Sequence, residues 1–262
     1  MRIGFYQFSP EFGAIDKNLN KMASTLLTTE ADLIVFPELA NSGYLFLNSA
    51  EAESLAEPIP GPSTEFLTKL AVERGCHIVM GMPEKSGQKR FNSAVLIGPQ
   101  GVVGSYRKAH LFDEEKLHFQ PGDRGFPVFE IHGVKIGILI CFDHIFPESA
   151  RTLALQGVQI LCYPSNLVLP TYGQLTTRVR AIENHLFTIL ANRCGTDDRG
   201  SKQLSYTGGS QIVAPDGLVL ASAPEEREQL SVVEIDPSQA CGKGVSLRND
   251  LFADRRPDLY KL

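Results

Sequence analysis

A chain of 262 residues is long enough for one large domain or two ordinary ones, and its 43% hydrophobic and 21% charged content can fill a globular core. A net charge of −5, from 25 basic and 30 acidic residues, argues against the clustered basic surface that nucleic acid or an anionic membrane requires. The five cysteines, at positions 76, 141, 162, 194 and 241, are odd in number and lack C-x-x-C spacing. They read as reduced thiols in a cytoplasm.

Met1–Phe8 reads as a strand rather than a signal peptide, and no apolar run approaches the ~18 residues of a membrane span. Leu19, Met22, Ala23, Leu26 and Leu27 then follow the spacing of one buried helix face, with Asp16 placed to cap its start. Leu33–Phe36 is a short apolar strand stopped by Pro37, just before Glu38. A second helix is expected from Pro62 to Gly75, burying Phe66, Leu67, Leu70 and Ala71. His77–Gly81 is the next strand, and Ser93–Ile97 and Val102–Tyr106 flank a Gly98-Pro99-Gln100-Gly101 hairpin turn.

The second half has the same style. The apolar run Val134–Ile140 ends at Cys141, and Pro147-Glu148 opens a helix closed by Gly157. Val158–Tyr163 returns as a strand, Val179, Ile182 and Leu186 mark a further helix, and Phe187–Ala191 follows as a strand. Ser210–Ala214 and Leu218–Leu220 form a late hairpin around Pro215-Asp216-Gly217. Strand–helix–strand units alternating with hairpins predict mixed sheets covered by helices. With no linker or composition break, residues 1–262 read as a single domain. Its polar tail from about residue 240, with Arg248, Arg255 and Arg256, is either a loose end or a segment that packs on a partner subunit.

Three reactive positions fall where strands end: Glu38, Lys108 and Cys141. Taken singly, each has a bland reading, as a solvated acid, a surface lysine and a core thiol. Together they are complementary. A carboxylate can accept the thiol proton, a thiolate can attack, and an ammonium can hold the developing negative charge.

These positions lie in three ordered blocks, Phe36-Pro37-Glu38-Leu39, Tyr106–Phe112 and Cys141-Phe142-Asp143 continuing to Arg151, and here the chain resembles the nitrilase superfamily of carbon–nitrogen hydrolases. Supporting segments are Phe91–Ala94, Pro121-Gly122-Asp123, Arg180–Asn184, Ala191-Asn192-Arg193 and Gly209–Ile212. The resemblance covers nearly the whole chain and is greatest to small, single-domain prokaryotic members. It implies a four-layer α-β-β-α sandwich with two mixed sheets, a homodimer or higher homo-oligomer, and no metal or organic cofactor. It also implies a Glu38–Lys108–Cys141 triad, with a second acid at Glu115, for which the adjacent Glu114 competes. The implied reaction is hydrolysis of a small carboxamide through a thioester on Cys141. A nitrile substrate is the alternative, and a catalytically silent interaction protein the third reading. Cys141-Phe142-Asp143 is closer to amidase-branch sequences than the Cys-Trp-Glu of many nitrilases.

Around the triad, Tyr44 and Phe142 are expected as apolar pocket walls, and Asn166 as a residue of a substrate-bordering loop. His144 is expected as a pocket wall where relatives carry a bulky residue, with a Cys–His dyad as the lesser alternative. His110 is expected to position the lysine loop by hydrogen bonding, and Arg180 and Glu183 to form an internal ion pair.

Overall fold

The computed structural model describes residues 1–260. Two six-stranded mixed sheets form its centre. The first contains β1 (Arg2–Gln7), β2 (Leu33–Val35), β3 (His77–Ser86), β4 (Lys89–Gly98) and β5 (Gly101–Arg107), with β14 (Gln229–Glu234) on the far edge, in the order β14-β1-β2-β3-β4-β5. The second contains β6 (Val128–Ile131), β7 (Val134–Ile138), β8 (Ile160–Ser165), β9 (Phe187–Asn192), β12 (Gln211–Val213) and β13 (Val219–Ser222), in the order β13-β12-β9-β8-β7-β6. In each sheet three central strands run parallel and the flanking pairs are antiparallel. A small ribbon of β10 (Thr196–Asp198) and β11 (Gln203–Ser205) stands apart.

Strand alternation builds the layers. In the first sheet Ile3, Phe5, Leu33, Val35, Val79, Ala94 and Leu96 face the second sheet, where they meet Ile136, Ile138, Leu161 and Ile189. The intervening Tyr6, Ile34, Ile78, Met80, Val95 and Ile97 face outward onto helices α1 (Ile15–Leu27) and α3 (Pro62–Arg74). Helices α5 (Pro147–Leu155) and α6 (Tyr172–Asn184) cover the other sheet. This is the expected α-β-β-α sandwich. Short helices α2 (Ser49–Leu55) and α4 (Glu115–His118) lie among the loops beyond the strand ends.

Three local expectations are corrected. Asp16 does not cap α1; it sits in the first turn behind Ala14, where its charge still favours the helix N-terminus. Val179 and Ile182 do lie on α6, but on its exposed side, while Leu186 is buried just beyond its end. Phe66 of α3 is only partly buried. The described part of the tail folds back on its own chain. Lys243 Nζ donates to the carbonyls of Asn184 and His185, and the Phe252 ring faces the cations of Arg151 and Lys243.

Candidate active site

Glu38, Lys108 and Cys141 converge from β2, β5 and β7, with Glu115 from α4 beside them. Lys108 follows directly on β5, and its backbone N–H still donates to Asn92 across the sheet at 2.8 Å. Its ammonium is fully buried and donates to Glu38 Oε1 and Glu115 Oε1, both at 2.7 Å. An ammonium has three N–H donors. The third has no protein partner among the described residues. Burial opposes the Lys108 charge, but Glu115 and Glu38 outweigh it, so the ammonium persists far above the usual lysine range.

Glu38 Oε1 also accepts from Asn92 Nδ2 at 2.7 Å, whereas Oε2 is buried with no partner. Gly81 makes this approach possible, because a Cβ there would come within 2.5 Å of the Glu38 Cα. The next residue, Leu39, takes a left-handed φ of 48°, which turns the chain sharply behind the carboxylate. Glu115 is the inward acid. Burial raises its carboxyl to about 7, against the pull of Lys108, and Tyr44 Oη donates to Oε1 at 2.8 Å. Glu114 instead pairs at the surface with Lys202.

Cys141 also adopts a left-handed φ, of 45°, and opens a 3₁₀ turn spanning Cys141–Ile145. Such a conformation for a residue with a Cβ costs of order 1–3 kcal/mol and persists only where neighbours enforce it. Asp143 does the enforcing. Its fully buried carboxylate accepts from Ile140 N at 2.9 Å, Tyr106 Oη at 2.8 Å and His110 at both its backbone N (3.1 Å) and Nδ1 (2.7 Å). It thus ties the cysteine turn to the lysine loop. His110 has the positioning role expected for it. The Cys141 thiol is held well above its usual range by burial and the Glu38 charge, while Lys108 and the backbone amide of Asn166 pull the other way. A resting thiol next to an unpartnered carboxylate oxygen is arranged for proton transfer followed by attack.

A cavity of about 20 Å³ opens at the thiol, lined by Phe112, Phe142, His144 and Asn166–Leu169. Phe142 and His144 both border it. The His144 ring engages Thr176 Oγ1 at 2.6 Å and takes no part in a Cys–His dyad. Arg180 pairs with Glu183 at 2.8 Å and donates to the carbonyls of His144 and Ile145, holding the turn from below. Asn166 donates from Nδ2 to the Glu38 carbonyl at 2.9 Å.

Tyr44 is a correction. It lines a neighbouring chamber of about 300 Å³ that shares Phe112 with the cavity at the thiol, and its hydroxyl, not an apolar face, meets Glu115 of the site. Asp143, Asn92 and Gly81 carry the geometry and were given no role from sequence. Asp143 is adjacent to the cysteine block, but its partners Tyr106 and His110 become neighbours only through the fold.

The chain is similar to known proteins in family, sequence and fold. The family model described as carbon–nitrogen hydrolase matches residues 2–241. The chain is 42% identical to a protein named nitrilase from Pyrococcus abyssi, across 99% of both chains. It is 35% identical to an (R)-stereoselective amidase of a Pseudomonas species, across 98% of this chain and 92% of that one. Among solved structures, a carbon–nitrogen hydrolase from Helicobacter pylori superposes with a TM-score of 0.89 at 27% identity, over 99% and 97% of the two chains. An amidase from a Nesterenkonia species gives 0.80 at 27% identity, over 99% and 94%.

Proposed function

The chain belongs to the carbon–nitrogen hydrolase family, and on that premise we propose that it hydrolyses a small carboxamide to acid and ammonia through a thioester on Cys141. The observation that carries the reading is the buried Lys108 ammonium, with one N–H free, set between two carboxylates beside the Cys141 thiol. Glu38 takes the thiol proton on Oε2, and the sulfur attacks the carbonyl carbon. The free N–H of Lys108 and the backbone N–H of Phe142 receive the oxyanion, a type of contact worth about 10²–10³ in rate. Glu38 returns the proton to the departing nitrogen, then activates water to cleave the thioester. Glu115, held by Tyr44, fixes Lys108.

The relative named nitrilase favours a second reading, in which a nitrile enters through a thioimidate on the same residues. Ammonia release from short amides, N-carbamoyl compounds and nitriles, by native protein and Cys141→Ala, decides between them. Cys141-dependent release from amides is expected. Release from nitriles alone favours the second reading, and no Cys141-dependent release from any compound contradicts both.

The assembly proposed is a homodimer of single-domain chains. Tyr172, Leu175, Val179 and Ile182 form an exposed stripe along α6, with exposed Leu218 close by, and such a patch supports a protein contact. Ile182→Asp is expected to convert the dimer to monomer in sedimentation equilibrium. Five unpaired cysteines support residence in the reducing cytoplasm. No helix among the described residues is long and apolar enough to cross a membrane.

A further inference from the structure

His144 is biased toward one tautomer by its neighbour. Thr176 Oγ1 lies 2.7 Å from the Tyr172 carbonyl and 3.3 Å from that of Gly173. Carbonyls only accept, so Thr176 can place its single hydroxyl proton on them. In that arrangement Thr176 accepts from His144 Nδ1 at 2.6 Å, which favours the imidazole proton on Nδ1. Burial and the nearby Arg180 depress the His144 pKa to about 4, so the ring is neutral. Nε2 is left with a bare lone pair. It has no protein partner, and it is not among the polar atoms sealed from solvent. The ring borders the cavity at Cys141, whose other walls are mostly apolar.

Asn166 is oriented by the same logic. Its Nδ2 donates to the Glu38 carbonyl, so Oδ1 is the free end, and it is buried without a partner. Both polar side chains that border the cavity beside the thiol are thus turned with an acceptor unpaired.

We propose that His144 Nε2 accepts a hydrogen bond from the acyl side of the substrate, so that preferred amides carry, besides the departing amide nitrogen, an N–H or O–H one or two bonds from the scissile carbonyl carbon. This rests on the hydrolase reading above. An apolar isostere leaves the lone pair desolvated and unpaired, which disfavours its binding.

The test uses three compounds of nearly equal size: glycolamide, with an acyl-side donor two bonds away; N-methylurea, with one a single bond away; and propionamide, with no donor besides the departing amide nitrogen. For each donor compound the ratio of kcat/KM to that of propionamide is compared between native protein and His144→Phe, which cancels intrinsic reactivity. Either ratio is expected to fall about tenfold in the variant. A fall for one compound alone identifies which donor position is read, and ratios unchanged within twofold for both overturn the proposal. The tautomer is checked without turnover by ¹⁵N NMR of histidine-labelled native protein at neutral pH. The Nδ1–H form is expected, and the Nε2–H form overturns the proposal even where the variant fails to fold. If no amide gives Cys141-dependent ammonia release, the hydrolase reading fails instead, and the NMR spectrum still decides the acceptor assignment.

Discussion

Arg107 and Lys108 are adjacent, both cationic and both buried, yet their surroundings differ in kind. Strand alternation sends them to opposite faces. Every guanidinium nitrogen of Arg107 is engaged: Nε and Nη2 fork onto Glu84, Nη1 donates to Asp123 at 2.8 Å, and the guanidinium lies 3.7 Å from the Phe91 ring centroid. Ser93 completes the Glu84 carboxylate at 2.6 Å. Lys108 differs in its carboxylate: Glu38 holds an idle oxygen, whereas both oxygens of Glu84 are engaged. A closed ion pair fixes a strand end, and an open one keeps capacity for a reacting group. What separates structure from chemistry here is the unspent carboxylate oxygen, since burial and charge are common to both.

The largest effect that should sharpen this contrast is on stability. Glu84→Gln leaves Arg107 buried with its main counter-charge removed, a change expected to cost about 3–5 kcal/mol in urea unfolding. Turnover per folded molecule should stay near native. Lys108→Arg should invert that pattern. The planar fork cannot replace a compact ammonium between two carboxylates, so kcat should fall ~10²–10³-fold with little change in the unfolding midpoint. Equal stability losses in the two variants would break the comparison.

Glu115 gives a smaller, pH-dependent effect. Its folded pKa, about 7, lies above its unfolded value, so its contribution to stability is greatest below about 4.5 and is lost as pH rises through 7. Glu115→Gln removes that dependence. The variant should therefore gain stability relative to native protein between pH 5 and pH 8, measured by urea titration at both. A constant difference would contradict the assignment. The smallest change is expected from Tyr44→Phe. Loss of one donor to the carboxylate, worth about 1 kcal/mol, should move the Glu115-linked limb of the kcat/KM profile to higher pH.

Much of this was legible in the chain. Helix α3 shows its start at Pro62 and its left-handed stop at Gly75, and the apolar runs within Met1–Phe8 and Leu33–Phe36 mark two strands of the first sheet, though not which side chains face which layer. The three reactive residues could be chosen because each closes an apolar strand. Glu114 and Glu115 could not be separated, since one residue of rotation in α4 decides which acid points inward. The roles of Asp143 and Tyr44 depend on partners 33 and 71 residues away, and no local pattern encodes such distances. Val179 and Ile182 signal a helix correctly by their spacing, but spacing does not say whether an apolar face meets its own core or another chain.

The central claim is that Cys141 forms the covalent intermediate, and intact-mass spectrometry of protein quenched during amide turnover tests it most directly. A mass increase equal to the acyl group, mapped to the peptide containing Cys141 and absent in Cys141→Ala, is the predicted result. An adduct on Cys162 or Cys194, or Cys141→Ala protein that still turns over and acylates, would contradict it.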